Sequence, residues 1–474
     1  MESNNTLCFR KQFTMNHYAV IEQNKRKEEI TKRTGRIIFV LLILFYPAYP
    51  QTHGSSDSLS GAVTLQNCVR YALSHQPLVE KSLMDEEITE RSIKGKLADW
   101  YPQVNFSYNI QHFPEVPTSI VIAGALTEVA TGLPNVSTGQ LSLSQTLFNR
   151  DVLLASSSAS DVRRRAAEQT IGNKIDVAAA VSKAFYAVLV TQEEIELLDE
   201  DIVRLERSLK DAYDQYRGGV ADKTDYKRAT ILLNNARAEK RQSEEFLKAR
   251  YASLKEQMGY PPSAELKLAY NSGQMEREAM LDTNQTVHYE NRIEYQSLET
   301  QKRLQEDNLD YYEWSFLPSL SLYGSYNFNY QSKGFTQLYS TNYPFSFVGL
   351  QLSFPVFEGG KRYQEIKEAQ LEVERFDYDF ISLKNSVNTE YVQALANYKS
   401  DLNNYHVLKE NLELAEDVYE TIQLQYRAGT KTYLEVISAE TDLRAAQVNH
   451  TNALYQVLSS KLDVEKALGT LQYQ

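Results

Sequence analysis

The stretch YVQALANYKSDLNNYHVLKENLELAEDVYETIQLQYRAGT, residues 391–430, sets Tyr391, Tyr398, Tyr405, Leu412, Tyr419 and Tyr426 at strict intervals of seven and ends on Ala428-Gly429-Thr430. Val181, Val188, Ile195, Ile202, Leu209 and Tyr216 keep the same interval, 210 residues upstream, and end on Gly218-Gly219-Val220-Ala221. An apolar repeat of 3.5 residues per turn winds helices into a left-handed coiled coil. The helical pattern runs without proline from about Arg150 to Arg217 and from Lys361 to Arg427. At 1.5 Å per residue each run is on the order of 100 Å long, more than one globular core can use. Glycines then break each run, and a second helix returns, from about Asp222 to Met258 and from Lys431 to Leu468. Two antiparallel helical hairpins with glycine tips are expected.

Offsets within a few residues of this one recur outside the helices. Leu141-Ser-Leu143-Ser-Gln-Thr-Leu147-Phe148 is echoed by Leu350-Gln-Leu352-Ser-Phe354-Pro-Val356-Phe357, and Gly259 by Gly469. Trp100-Tyr101-Pro102 is echoed by Trp314 through Pro318. A nearly constant offset over more than a hundred residues reads as one duplicated unit. Each unit predicts a helix, two strands, a long helix, a tight turn and a returning helix.

The strands alternate with period two. Val104, Phe106, Tyr108 and Ile110 interleave with Asn105, Ser107 and Asn109. Leu320, Leu322, Tyr326 and Phe328 interleave mostly with serine and asparagine, and Val348, Leu350, Leu352 and Phe354 follow. One apolar and one small polar face suits a sheet between a dry and a wet medium. A half-buried sheet in a soluble domain has this pattern, and so does a membrane barrel. Strands of about ten residues and aromatics gathered near strand ends, including Tyr101, Phe316, Tyr343 and Phe357, favour the barrel. The apolar run Ser119–Ala125 within the connector 111–137 reads equally as a further strand or a packed loop.

Composition narrows the function. The 474 residues carry 50 Lys and Arg against 62 Asp and Glu, a net charge of −12. Nucleic acid, which demands a basic surface, is not an expected partner. A mean hydropathy of −0.47 argues against several membrane-crossing helices. Residues 1–36 hold eight Lys and Arg ahead of the apolar run Ile37–Tyr46 and Pro47-Ala48-Tyr49-Pro50, which reads as a secretory leader, with Met15 an alternative start. Removing residues 1–50 leaves a net charge of −16 and one cysteine, Cys68, so no internal disulfide can form. The histidines at 53, 75, 112, 288, 406 and 450 make no i, i+3 or i+4 pair. With no HExxH, glycine-rich phosphate loop or GxSxG elbow, neither an enzyme nor a bound cofactor or metal is expected.

Four strands cannot close a lumen, and an open sheet edge is not tolerated in lipid. Several chains must therefore share one barrel, and three would supply twelve strands. The expected domains are a leader (1–50), an N-terminal linker (51–61), a first repeat (62–260), a linker (261–283) and a second repeat (284–474).

Leu65-Gln-Asn-Cys68-Val-Arg-Tyr-Ala72-Leu-Ser-His-Gln-Pro77, the two aromatic/proline strand starts, Phe354-Pro-Val-Phe-Glu-Gly359-Gly360 and the glycine tips together resemble the TolC-like outer-membrane efflux proteins, over roughly residues 62–470. The resemblance implies an α+β membrane protein: a homotrimer with a twelve-stranded β-barrel in the outer membrane of a Gram-negative-type envelope, continued by a periplasmic α-helical coiled-coil barrel. It implies an exit duct serving a periplasmic adaptor and an inner-membrane transporter, with outer-membrane lipid around the barrel. Gly218, Gly219, Val220, Ala221, Ala428, Gly429 and Thr430 match the adaptor-docking turns. Asp225, Tyr426, Lys431 and Glu435 fall on positions of the entrance gate, while Ser438 stands where a further acid would be expected. The rival readings are a non-conducting brace that links membranes and an exported barrel lipase. The small polar residues on one strand face favour a water-filled interior over the brace. No histidine sits on a strand with a serine and a carboxylate near it in spacing, as a lipase would need.

Overall fold

The computed structural model describes residues 61–122, 126–269 and 272–471. The expected leader and nearly all of the N-terminal linker lie outside the described residues. Helices α1 (Leu65–His75) and α2 (Pro77–Leu97) lead into strand β2 (Gln103–His112). Strand β5 (Asn135–Phe148) feeds α3 (Arg150–Ser157), α4 (Ala159–Arg217) and the returning α5 (Lys223–Met258). After the short α6 (Ser272–Glu278), α7 (Ile293–Glu313) leads into β7 (Ser319–Ser332) and β8 (Phe345–Ser353), and then α8 (Lys361–Arg427) and α9 (Tyr433–Leu468) complete the chain.

The four long strands form one antiparallel sheet in the order β2-β5-β7-β8, leaving β2 and β8 as edges. Register places Val104, Phe106, Leu141, Leu143, Leu320, Leu322, Tyr326, Val348, Leu350 and Leu352 on one face. Asn105, Ser107, Gln140, Ser142, Ser321, Asn327 and Gln351 occupy the other, with Tyr323 and Phe347 among them. Among the described residues this second face carries no Asp, Glu, Lys or Arg. The apolar face has no cover: Val104 is 61% exposed, Phe106 65%, Val348 77% and Leu350 66%. A soluble half-buried sheet hides that face, so a contiguous bare one marks an interaction surface. Thr118–Ile122 (β3) pairs with Leu126–Ala130 (β4) as a separate hairpin, which makes part of the undecided run a strand.

Helix α4 packs along α5, α8 along α9, and α4 against α9. The main core lies where these four meet α1: Val181, Phe185, Val188, Leu254, Met258, Tyr398, Val457 and Leu458. Each fully buried Val or Leu contributes roughly 1.5–3 kcal/mol, so this belt anchors both hairpins. Part of α4 is apolar enough to cross a bilayer, but 56% of that stretch is buried inside the protein. The heptad seam of α8 is buried at Tyr398, Tyr405 and Tyr419. In α4 the seam is buried at Val181 and Val188, but Tyr216 is 37% exposed, and Leu198, Leu205 and Ala212 are buried instead. Helix α4 faces both α5 and α9, so its apolar stripe shifts between two partners.

The stretch 261–283, expected as a linker, is packed into this belt. The short strand β6 (Lys267–Leu268) pairs in parallel with β1 (Ala62–Val63). The Tyr398 hydroxyl donates to Ala279 O at 3.0 Å and accepts from the Leu281 N–H at 2.9 Å, while Tyr405 donates to Glu276 at 2.8 Å. Buried tyrosine hydroxyls need such partners. Both returning helices end on left-handed glycines, Gly259 (φ 65°) and Gly469 (φ 72°). A Cβ on Gly259 would collide with His75 O and lie 2.9 Å from Gln76 Cα; on Gly469 it would meet Asn291 O at 3.1 Å. Cys68 is free and fully buried, and burial pushes its thiol up to about 12.

Candidate functional site

The two tips close in the same way. In the first, the N–H groups of Gly218, Gly219 and Val220 donate to Asp214, Tyr216 and Gln215 carbonyls at 2.9, 3.0 and 3.0 Å. In the second, Ala428, Gly429 and Thr430 donate to Leu424, Tyr426 and Gln425 at 3.0, 2.9 and 3.0 Å. This satisfies carbonyls that the ending helix would leave orphaned. The turn needs one left-handed residue, supplied by Gly219 (φ 76°) and Gly429 (φ 75°). Nothing lies within 4 Å of a Cβ built on either glycine, and Val220 is 82% exposed. Both tips thus present bare backbone and small side chains.

The returning helices start differently. Asp222 caps α5 by accepting from the Thr224 N–H at 2.7 Å, and that bond holds its carboxyl below the usual range. At α9, Thr432 and Glu435 form a capping box, with the Thr432 N–H donating to Glu435 at 2.9 Å. Lys431 Nζ also donates to Glu435, at 2.6 Å. The ammonium, with the Thr432 N–H behind it, lowers the Glu435 carboxyl to about 2.

Of the four residues matched to a gate, Lys431 and Glu435 therefore bond each other within one hairpin, across the start of α9. Tyr426 reaches the other hairpin, its hydroxyl donating to Gln215 Oε1 at 2.9 Å. Burial, and then the charges of Asp225 and Asp211, push its phenol up. Asp225 is half-buried beside these tyrosines. The residue that ties the tips together is Tyr433, which the sequence reading did not single out. It is 2% exposed, packs on Tyr426 with ring centroids 5.6 Å apart, and shares a 3.0 Å hydrogen bond with Ser208. Burial raises its phenol to about 12. Ala212, Ala229 and Val436 complete this small core. Tyr433 stands seven residues beyond Tyr426, but the glycine turn between them ends one helix and starts the next, so the interval carries no helical register across it. Among the described residues, no three His, Cys, Asp or Glu side chains converge as metal ligands.

A family profile described as outer membrane efflux protein matches residues 69–260 and 289–470. The chain is 22% identical over 431 residues to the outer membrane protein TolC of Vibrio cholerae, covering 89% of this chain and 94% of that protein. It is 23% identical over 418 residues to the alkaline protease secretion protein AprF of Pseudomonas aeruginosa, covering 84% and 83%. Among solved structures it resembles the outer membrane protein VceC of Vibrio cholerae, with a TM-score of 0.65, 14% identity and coverage of 85% and 96%. It also resembles the channel-forming protein CusC, with a TM-score of 0.67, 15% identity and coverage of 89% and 97%. These likenesses establish a shared fold.

Proposed function

This chain belongs to the outer membrane efflux protein family, and from that premise we propose that three copies build one passive exit duct. The observation that carries the reading is the sheet. It has four strands, two open edges, a bare apolar face and an uncharged polar face. Edges β2 and β8 pair between neighbours, because lipid leaves no backbone group unpaired. The apolar face meets outer-membrane lipid and the polar face lines water. The α-helical hairpins project into the periplasm, and the two halves of the chain are copies of one ancestral unit, 62–260 and 284–474. Residues 1–50 serve as the leader.

The tips Gly218–Ala221 and Ala428–Thr430 receive a periplasmic adaptor, which couples the duct to an inner-membrane transporter that supplies the energy. Asp225, Tyr426, Lys431 and Glu435, with Gln215 and Tyr433, hold the entrance narrow. Exposed ion pairs are worth about 0–1 kcal/mol each, so an adaptor needs only modest preference for the dilated state to open it.

The test is single-channel current of the purified protein in a planar bilayer, paired with chemical crosslinking in detergent. A small steady conductance from a species that crosslinks no further than a trimer is expected. A strict monomer sinks the shared barrel, and inserted protein that never conducts, even with Asp225 and Glu435 neutralised, favours the brace.

A further inference from the structure

A second charged cluster lies inside the chain, away from the tips. Glu440 sits on α9, eleven residues beyond Gly429, which is roughly 16 Å along the helix axis. It is 6% exposed, and neither carboxyl oxygen has a hydrogen-bond partner in the protein. Buried carboxylates without donors are costly, and the usual escape is to bind a proton.

The one cation acting on Glu440, Arg204, lowers its carboxyl less than burial and Asp201 raise it, and is engaged by other acids. Helix α4 brings Glu200, Asp201 and Arg204; α5 brings Glu239; α8 brings Tyr419 and Arg427; α9 itself brings Tyr433 and Arg444. Asp201, only 2% exposed, is paired with Arg204 and lies 3.7 Å from Arg444. Arg204 also reaches Glu200 at 3.8 Å, and Arg444 pairs with Glu239. Both nearby guanidiniums are thus already matched by three acids, and Glu440 is a fourth. Arg427 acts on Tyr419 rather than on Glu440.

The arrangement has no counterpart 210 residues away. Thr230 stands opposite Glu440 in that register, Asn411 opposite Asp201, Leu414 opposite Arg204 and Asn234 opposite Arg444. The three turn-closing backbone bonds, in contrast, recur at both tips. The charges therefore occur only where α4 and α9, the contacting helices of the two hairpins, face each other.

We propose that Glu440, set against Asp201, is a proton-operated latch between the two hairpins of one protomer: protonated, it lets α4 and α9 pack, and ionised, it drives them apart. Burial, then the charge of Asp201, raises the Glu440 carboxyl from the ordinary 4.5 to about 7. Asp201 is also raised by burial, but it holds two arginines, so it keeps the charge and Glu440 takes the proton. The sign follows from linkage: the packed hairpins bind the proton better than the separated ones. Packing is fully stabilised below the ordinary carboxylate value and loses that stabilisation as pH rises through about 7. The latch rests on the duct reading only for its consequence, a wider entrance in alkaline periplasm. The packing change itself is independent of conduction.

The test follows amide exchange of residues 433–447 in the intact, detergent-purified protein from pH 5.5 to 8.5, corrected for intrinsic exchange chemistry, beside single-channel current over the same range. Exchange in the wild type is expected to rise at least about tenfold, since one unit of differential pKa is a tenfold change in equilibrium. Glu440→Gln, a neutral isostere, is expected to hold the slow level at every pH. Asp201→Asn, which removes the repelling charge, is expected to move the midpoint towards acid. Wild-type exchange that does not change with pH overturns the latch, as does a Glu440→Gln protein with the wild-type profile. If Glu440→Gln does not fold, an unmoved midpoint in Asp201→Asn overturns it. Current with pH-independent exchange sinks the latch and leaves the duct standing. The expected exchange profile with no current at any pH supports the latch and removes the duct.

Discussion

The base and the tip of each hairpin end on glycines with nearly the same left-handed backbone, yet their surroundings are opposite. Gly219 and Gly429 at the tips have empty space where a side chain would begin, whereas Gly259 and Gly469 at the bases lie against the backbone of His75–Gln76 and of Asn291. The base glycines clamp each returning helix to the turn that starts or precedes another helix. The tip glycines leave a bare turn, the surface proposed to receive an adaptor. One conformational need thus serves rigidity at one end and access at the other.

Substitution separates the two uses. Gly259→Ala is expected to have the largest effect, about 3 kcal/mol or more, because backbone atoms on the opposing chain cannot move aside as a side chain end would. Gly469→Ala, with its nearest atom at 3.1 Å, is expected to cost somewhat less. Thermal unfolding of the helical signal reads both, and equal effects at base and tip would break the distinction. Gly429→Ala carries only the left-handed penalty, about 1–2 kcal/mol. Gly429→Ile is expected to stop export while trimers still assemble, and unchanged export would count against docking at the tip.

Smaller effects sharpen the picture of the tip itself. Tyr433→Phe leaves buried Ser208 without its 3.0 Å partner, at about 1 kcal/mol, and is expected to raise the closed-state current slightly. Glu435 supplies the mildest test. Its carboxyl is lowered to about 2, so its support of the α9 cap is complete above the ordinary carboxylate range and is lost as pH falls through about 2. Exchange at the Thr432 amide is expected to stay slow at pH 4 and quicken only below about 3. Its pH response runs opposite to that of Glu440, five residues on.

Much of this was readable from spacing. Period seven marked the long helices, period two the four strands, and glycine the turns, because each reports a local geometry that any partner must respect. What spacing could not convey was which partner a residue meets. Tyr216 keeps the seven-residue interval but is partly exposed, because α4 turns a second stripe, Leu198, Leu205 and Ala212, inward. Gly259 and Gly469 were visible as an echo, but not their contact with distant backbone. Tyr433, Glu440 and Asp201 were hidden for the same reason: their roles depend on the register of α4 against α9, which long-range packing decides. Conversely, Lys431 and Glu435 were matched to links between helices, and in the single chain they bond each other across the start of α9.

The uncharged wall of the sheet has an electrical corollary. Hydroxyls and amides offer orientable dipoles but no fixed charge, so a passage lined by them resists the flow of either sign of ion alike. In a series circuit such a segment adds resistance without rectifying. In the proposed duct, any preference for cations would then be set upstream, among the carboxylate-rich helices, and the sheet segment would act as an ohmic outlet whose bore, rather than its chemistry, limits what leaves.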